Sequence, residues 1–143
     1  MRIKDVLQAK SDTVVTCAPD MTVRDLISLL AEHNIGAVIV STDDRPVAGI
    51  VSERDVVRGL VGGVAVLDAS VSEIMTTEVR AVAPQDSVHD LMRLMTLHRI
   101  RHAPVLERGV LRGIVSIGDV VKSRIGELEF ERDQLSSYVS NTQ

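Results

Sequence analysis

The chain has 143 residues, 45% of them hydrophobic and 25% charged, with a net charge of −4. That suffices for one compact domain, or for two small units sharing a core, and the acidic balance argues against a nucleic-acid-binding face. No apolar run approaches the ~20 residues that span a bilayer, and no signal-peptide core follows Met1–Asp5.

With one Phe, one Tyr and no Trp, the core must be built from Val, Ile, Leu, Ala and Met. The single cysteine, Cys17, excludes an internal disulfide and suits a reducing cytosol. Its Val-rich surroundings predict a small core hydrophobe.

In chain order, Val14 and Val15 predict a short strand ended by Pro19. Thr22 is placed to cap a helix, with Asp25 in the first turn. Val23, Leu26, Ile27 and Leu30 then form one apolar stripe at i, i+3, i+4 and i+7. A strand at Ala37–Val40, a polar turn at Ser41–Arg45 and the strand Gly49–Ser52 lead into a second helix beginning near Asp55. Residues 61–70 read as a linker.

The same series then returns. Ala18-Pro19 and Val23-Arg24-Asp25-Leu26 recur as Ala83-Pro84 and Val88-His89-Asp90-Leu91, sixty-five residues on; Gly49-Ile50-Val51-Ser52 and Asp55-Val56-Val57 recur as Gly113-Ile114-Val115-Ser116 and Asp119-Val120-Val121, sixty-four on. Val79 and Val82 predict the strand, Ser87 the cap, Val88, Leu91, Met92 and Met95 the stripe, and Ala103–Leu106 the next strand. The chain is an internal duplication: first unit 1–60, second unit 71–125, and a helical tail over 126–143. A unit of about sixty residues buries too little alone, so the two are expected to pack face to face about a pseudo-twofold axis. In the tail, Val121, Ile125, Leu128, Leu135 and Tyr138 fall near one helix face, which predicts a dimer contact or, on the plainer reading, a surface helix folded back on its own module.

Asn34–Val40, Gly49–Asp55, Glu73–Thr76, Arg99–Val105 and Gly113–Asp119, in that order, resemble the CBS domain; the likeness runs from Ile3 to about Lys122. It implies an α/β fold of two β-α-β-β-α repeats forming one module, with two pseudo-symmetric clefts that bind AMP, ADP or ATP, and sometimes NAD or S-adenosylmethionine. It also implies pairing of modules into a homodimer and a regulatory, non-catalytic role sensing energy state, for a downstream target the sequence does not identify. Carried over residue by residue, the first cleft joins Thr13, Val15, Ile35, Gly36 and Ala37 to Ser116, Gly118 and Asp119. The second joins Arg80, Ile100, Arg101 and His102 to Ser52, Arg54 and Asp55. Asp119 and Asp55 would accept the ribose hydroxyls, and Ser116 and Ser52 suit phosphate. Gly36 and Ala37 favour the base in the first cleft, with Arg101 and His102 gripping its phosphate; on this reading Asp119 matters more than Asp55.

Plainer readings compete at each position. Asp55 and Asp119 suit a helix start whatever the function. Ser52 and Ser116 could close turns, and Arg101 could be a solvated surface residue. His33 and His98 fit the negative end of a helix. No cysteine–histidine set has zinc spacing, and no phosphate-loop or dinucleotide glycine motif occurs. A ligand-free adaptor module is the alternative function; an enzyme using His102, Asp119 and Ser116 is weaker, because no activated nucleophile is evident.

Overall fold

The computed structural model describes residues 1–10 and 14–141. The elements run α1 (Ile3–Gln8), β1 (Thr16–Cys17), α2 (Val23–His33), β2 (Ala37–Val40), β3 (Gly49–Ser52) and α3 (Glu53–Gly59), then three 3-10 turns (Leu60–Gly62, Val64–Asp68, Val71–Glu73), then α4 (Val88–His98), β4 (His102–Glu107), β5 (Val110–Ser116) and α5 (Ile117–Asn141).

Both repeats start their first helix in the same way. The Thr22 hydroxyl accepts the Asp25 N–H at 3.1 Å, and the Ser87 hydroxyl accepts the Asp90 N–H at 3.0 Å. Val23, Leu26 and Leu30 are buried, as are Val88, Leu91 and Met95. The expected stripe is narrower than its period allows, since Ile27 is 38% exposed. Each helix ends on a left-handed residue, Asn34 or Arg99, both at φ 53°. Asn tolerates that conformation; Arg rarely adopts it.

The first sheet has the order β1-β2-β3, with β1 parallel to β2 and β2 antiparallel to β3. The second pairs β4 with β5, antiparallel. The strand expected around Val79 and Val82 is reduced to one parallel bridge between Val82 and Val105.

Two hydrophobic cores result, and each is completed by a segment from the other half of the chain. Ile3 and Val6 of α1 are buried with Val88, Leu91, Met95, Ala103, Val105, Val115 and Val120 of the second repeat. Val71, with Ile74 and Met75 beside it, packs among Cys17, Val23, Leu26, Leu30, Val38, Val40, Val51 and Val56 of the first. The backbone repeats the exchange. The N–H groups of Ile3 and Lys4 donate to the carbonyls of Asp86 and Pro84, and that of Val88 to Met1; those of Val71 and Ser72 donate to Met21 and Pro19, and that of Val23 to Ala69. The packing thus crosses from one repeat to the other. Within residues 61–70, Val66 and Leu67 pack on the first core.

The leaders cross the sheets at the glycines of the repeated Gly-Ile-Val-Ser strands. A Cβ on Gly49 would lie 2.8 Å from both the Met75 sulfur and the Thr76 carbonyl oxygen; one on Gly113 would lie 2.9 Å from a Leu7 methyl. Backbone cannot yield as a side-chain tip can. Gly49→Ala should therefore lower stability by about 1–3 kcal/mol and Gly113→Ala by less, read from urea denaturation midpoints of the two variants.

Candidate functional site

Ser52 and Ser116 end β3 and β5 and cap the helices that follow. The Ser52 hydroxyl accepts the Asp55 N–H at 3.4 Å, and Asp55 Oδ2 accepts the Ser52 N–H at 2.9 Å and its hydroxyl at 3.1 Å. Ser116 and Asp119 repeat the reciprocal pair at 3.1 and 2.9 Å. Both aspartates are thus third helix residues in capping boxes, and the plainer reading of them is realised. Each box engages one carboxylate oxygen, Oδ2.

Beyond the boxes the two sets diverge. The second-cleft residues Ser52, Arg54, Asp55, Arg80, Ile100, Arg101 and His102 all line one cavity of about 470 Å³. Arg58, Thr76, Glu78, Val79, His98 and Arg99 complete its wall, with Gly36 and Glu53 at one end. Gly36, expected in the first cleft, therefore borders the second. Its backbone faces side chains: a Cβ there would lie 2.8 Å from Glu53 Oε1 and 3.6 Å from His102 Nε2.

Among the described residues of the first set, several are packed into the core or paired. Ala37 is buried in β2, and Val15 and Ile35 pack against the first core. Asp119 Oδ2 is 2.7 Å from the Lys10 ammonium, which also donates to the Ile114 carbonyl at 2.9 Å. A Cβ on Gly118 would meet only Ser116 Oγ, at 3.6 Å, so that position does not require glycine for space. Thr13 lies outside the described residues.

Lys10 explains the asymmetry. Aligned on their exchanged backbone bonds, the two leaders match Ile3 to Val71 and Leu7 to Met75, which sets Lys10 opposite Glu78. A lysine can bridge to Asp119; a glutamate cannot bridge to Asp55. Asp119 is latched by Lys10, and Asp55 is not latched. Gly36, expected beside the base in the first cleft, and the charged pair Arg101 and His102 border the same cavity.

The electrostatics of the cavity run against those of the chain. Arg54, Arg58, Arg80, Arg99 and Arg101 face it with His98 and His102, against Glu53, Asp55 and Glu78. Among the described residues, none of these five guanidinium groups has an ion-pair or hydrogen-bond partner. Clustered guanidiniums that lack protein acceptors make a receptor for an anion. The signals for the unexpected members were a run of cations at Arg99, Arg101 and His102, and Arg54 and Arg58 at helical spacing. Among the described residues no cluster of His, Cys, Asp or Glu could hold a metal ion, and no helix is long and apolar enough to cross a membrane.

A family model for the CBS domain matches residues 3–62 and again 71–126. The chain belongs to the CBS domain family. It is similar to the mitochondrial CBS domain-containing protein CBSX3 of Arabidopsis thaliana, with 36% identity over 96% of this chain and 71% of that protein. Its fold matches the crystal structure of a CBS-domain protein from Agrobacterium tumefaciens at a TM-score of 0.83 and 45% identity, covering 87% of this chain and 99% of that one. The CBS domain pair of protein MJ0100, solved with 5′-methylthioadenosine and S-adenosyl-L-methionine, shares the fold at a TM-score of 0.79 and 22% identity, over 89% of this chain and 98% of that one. The two CBS repeats and the long last helix are thus a CBS pair.

Two groups near the clefts titrate away from their usual values. Burial lowers the His102 imidazole below 6.5; among the nearby charges Asp119 and Glu53 oppose that, and Lys10 and Arg101 reinforce it. Burial acts to raise the Asp119 carboxyl, but the Lys10 ammonium and the Ser116 donors outweigh it and hold the group below 3.8. His102 is therefore harder to protonate in the folded chain than in the unfolded one. Its contribution to stability is complete above 6.5 and is lost as the pH falls through the lower folded value. The melting temperature of the native chain should drop between about pH 7 and about pH 5, and His102→Gln should flatten part of that drop.

Proposed function

We propose that this CBS pair is a non-catalytic regulatory module that binds an adenine nucleotide, AMP, ADP or ATP, in the cleft lined by Arg80, Ile100, Arg101 and His102 from one repeat and Ser52, Arg54 and Asp55 from the other. The observation that carries the reading is the set of five unpartnered arginines around a cavity of about 470 Å³, a volume within the range of small-molecule sites. Ile100 and Val79 give the base an apolar wall, the Asp55 oxygen outside its capping box accepts the ribose hydroxyls, and the guanidinium groups take the phosphates. The adenosine-containing ligands solved on the CBS pair of MJ0100 support this ligand class. NAD and S-adenosylmethionine share the adenosine half and remain in the test.

Asp119 would be the minor site, because a ligand there must first displace Lys10. Binding to the cavity favours the arrangement in which the two repeats close on it; this differential affinity is how a nucleotide level becomes a conformational signal, presented by a homodimer to a downstream protein.

Titration calorimetry with AMP, ADP, ATP, NAD and S-adenosylmethionine tests the reading. Affinity should rise with phosphate count, Arg101→Gln should lose about tenfold or more, and Asp55→Asn should cost more than Asp119→Asn. A ligand at a hundred times its dissociation constant should add about 2.7 kcal/mol to stability. If none binds at millimolar concentration, the ligand-free adaptor reading replaces this one. Conversion of a bound nucleotide would make the chain an enzyme.

A further inference from the structure

Helix α5 is 25 residues long, about 37 Å at 1.5 Å per residue, far more than its repeat covers. Val120 is buried in the second core, but every residue from Leu128 to Ser140 is exposed. On that helix Val121, Ile125, Leu128, Arg132 and Leu135 follow one another in steps of four, three, four and three. This is the spacing of a two-helix seam, about 3.5 residues per turn, not the broader stripe of a helix lying on its own domain. Val121, Ile125 and Leu128 are each about half exposed and Leu135 is 66% exposed. A bare projecting helix with such a row is poorly stabilised in water.

The flanking charges identify what covers it. Lys122 and Arg124 flank the first half of the seam, and Glu129 and Glu131 flank the second. A helix that is basic and then acidic along the same two edges is complementary to itself when reversed. We infer that α5 pairs antiparallel with α5 of a second copy of this chain, with Ile125 packed on Leu128 of the partner. In that register Lys122 faces the partner's Glu129 and Arg124 the partner's Glu131, and twofold symmetry makes four such contacts. Sliding the pair by one heptad either way sets Glu129 and Glu131, or Lys122 and Arg124, against themselves. A parallel pair stacks Arg132 on Arg132 in the seam; the antiparallel one sets it against Val121. Arg124 already bonds Glu127 within its own helix at 2.9 Å, and its remaining N–H groups are available to the partner.

The surface is independent of the nucleotide cleft, and its test contains no ligand. Two double variants are made in the full chain, Lys122→Glu with Arg124→Glu, and Glu129→Lys with Glu131→Lys. All substituted side chains are solvent-exposed on α5, so circular dichroism should report an unchanged fold. By sedimentation equilibrium the native chain should dimerise, and each variant alone should dimerise about tenfold or more weakly, since all four contacts become like-charged. The two variants mixed should regain the native affinity, because every contact is again opposite in sign. A monomeric native chain, variants that dimerise as well as the native chain, or a mixture that fails to recover would each overturn the antiparallel pairing.

Discussion

The reciprocal exchange of leader segments is the constraint on which the rest of this CBS pair depends. Neither repeat owns a complete core. The first lacks a wall until Val71 enters it, and the second lacks one until Ile3 and Val6 do. Each insertion is secured by main-chain hydrogen bonds at matching positions, so the exchange follows the duplication and obeys its symmetry. A unit of this size cannot bury enough apolar surface alone; the exchange makes the two units stabilise one another. Glycine is needed at Gly49 for the same reason, because the crossing leader brings the Thr76 carbonyl where a side chain would stand.

The exchange also decides the difference between the clefts. The Ser–Asp capping boxes are nearly identical in the two repeats, as the repeated strands require. What differs is the end of the leader delivered to each. One brings Lys10 to Asp119 and the other brings Glu78 to the cavity that Asp55 lines. A single difference of charge sign latches one carboxylate and leaves the other next to a cationic cavity. The left-handed Arg99 sits on that cavity wall, at the position where the first repeat carries the more tolerant Asn34. Backbone conformations of this kind tend to be retained at functional sites.

Helix α5 joins core and surface in one element. Its first turn contributes Asp119 to a capping box and Val120 to the second core, and its later turns leave the module carrying an apolar row.

The sequence by itself determined the duplication, the family, the caps at Thr22 and Ser87, and most of the buried stripe on each first helix. All of these rest on local spacing, and local spacing survives any arrangement of the repeats. It left Asp55 and Asp119 open between capping and ribose binding; the helix start realises the cap and leaves one carboxylate oxygen of each outside it. It did not foresee the Lys10–Asp119 contact, because Lys10 is over a hundred residues from Asp119 in the chain and 2.7 Å from it in space. Only the tertiary structure decided which leader completes which core, and so which charge meets which carboxylate. The duplicated strands and helices are the same in both repeats, and the distinction lies in contacts between the halves that no periodicity encodes.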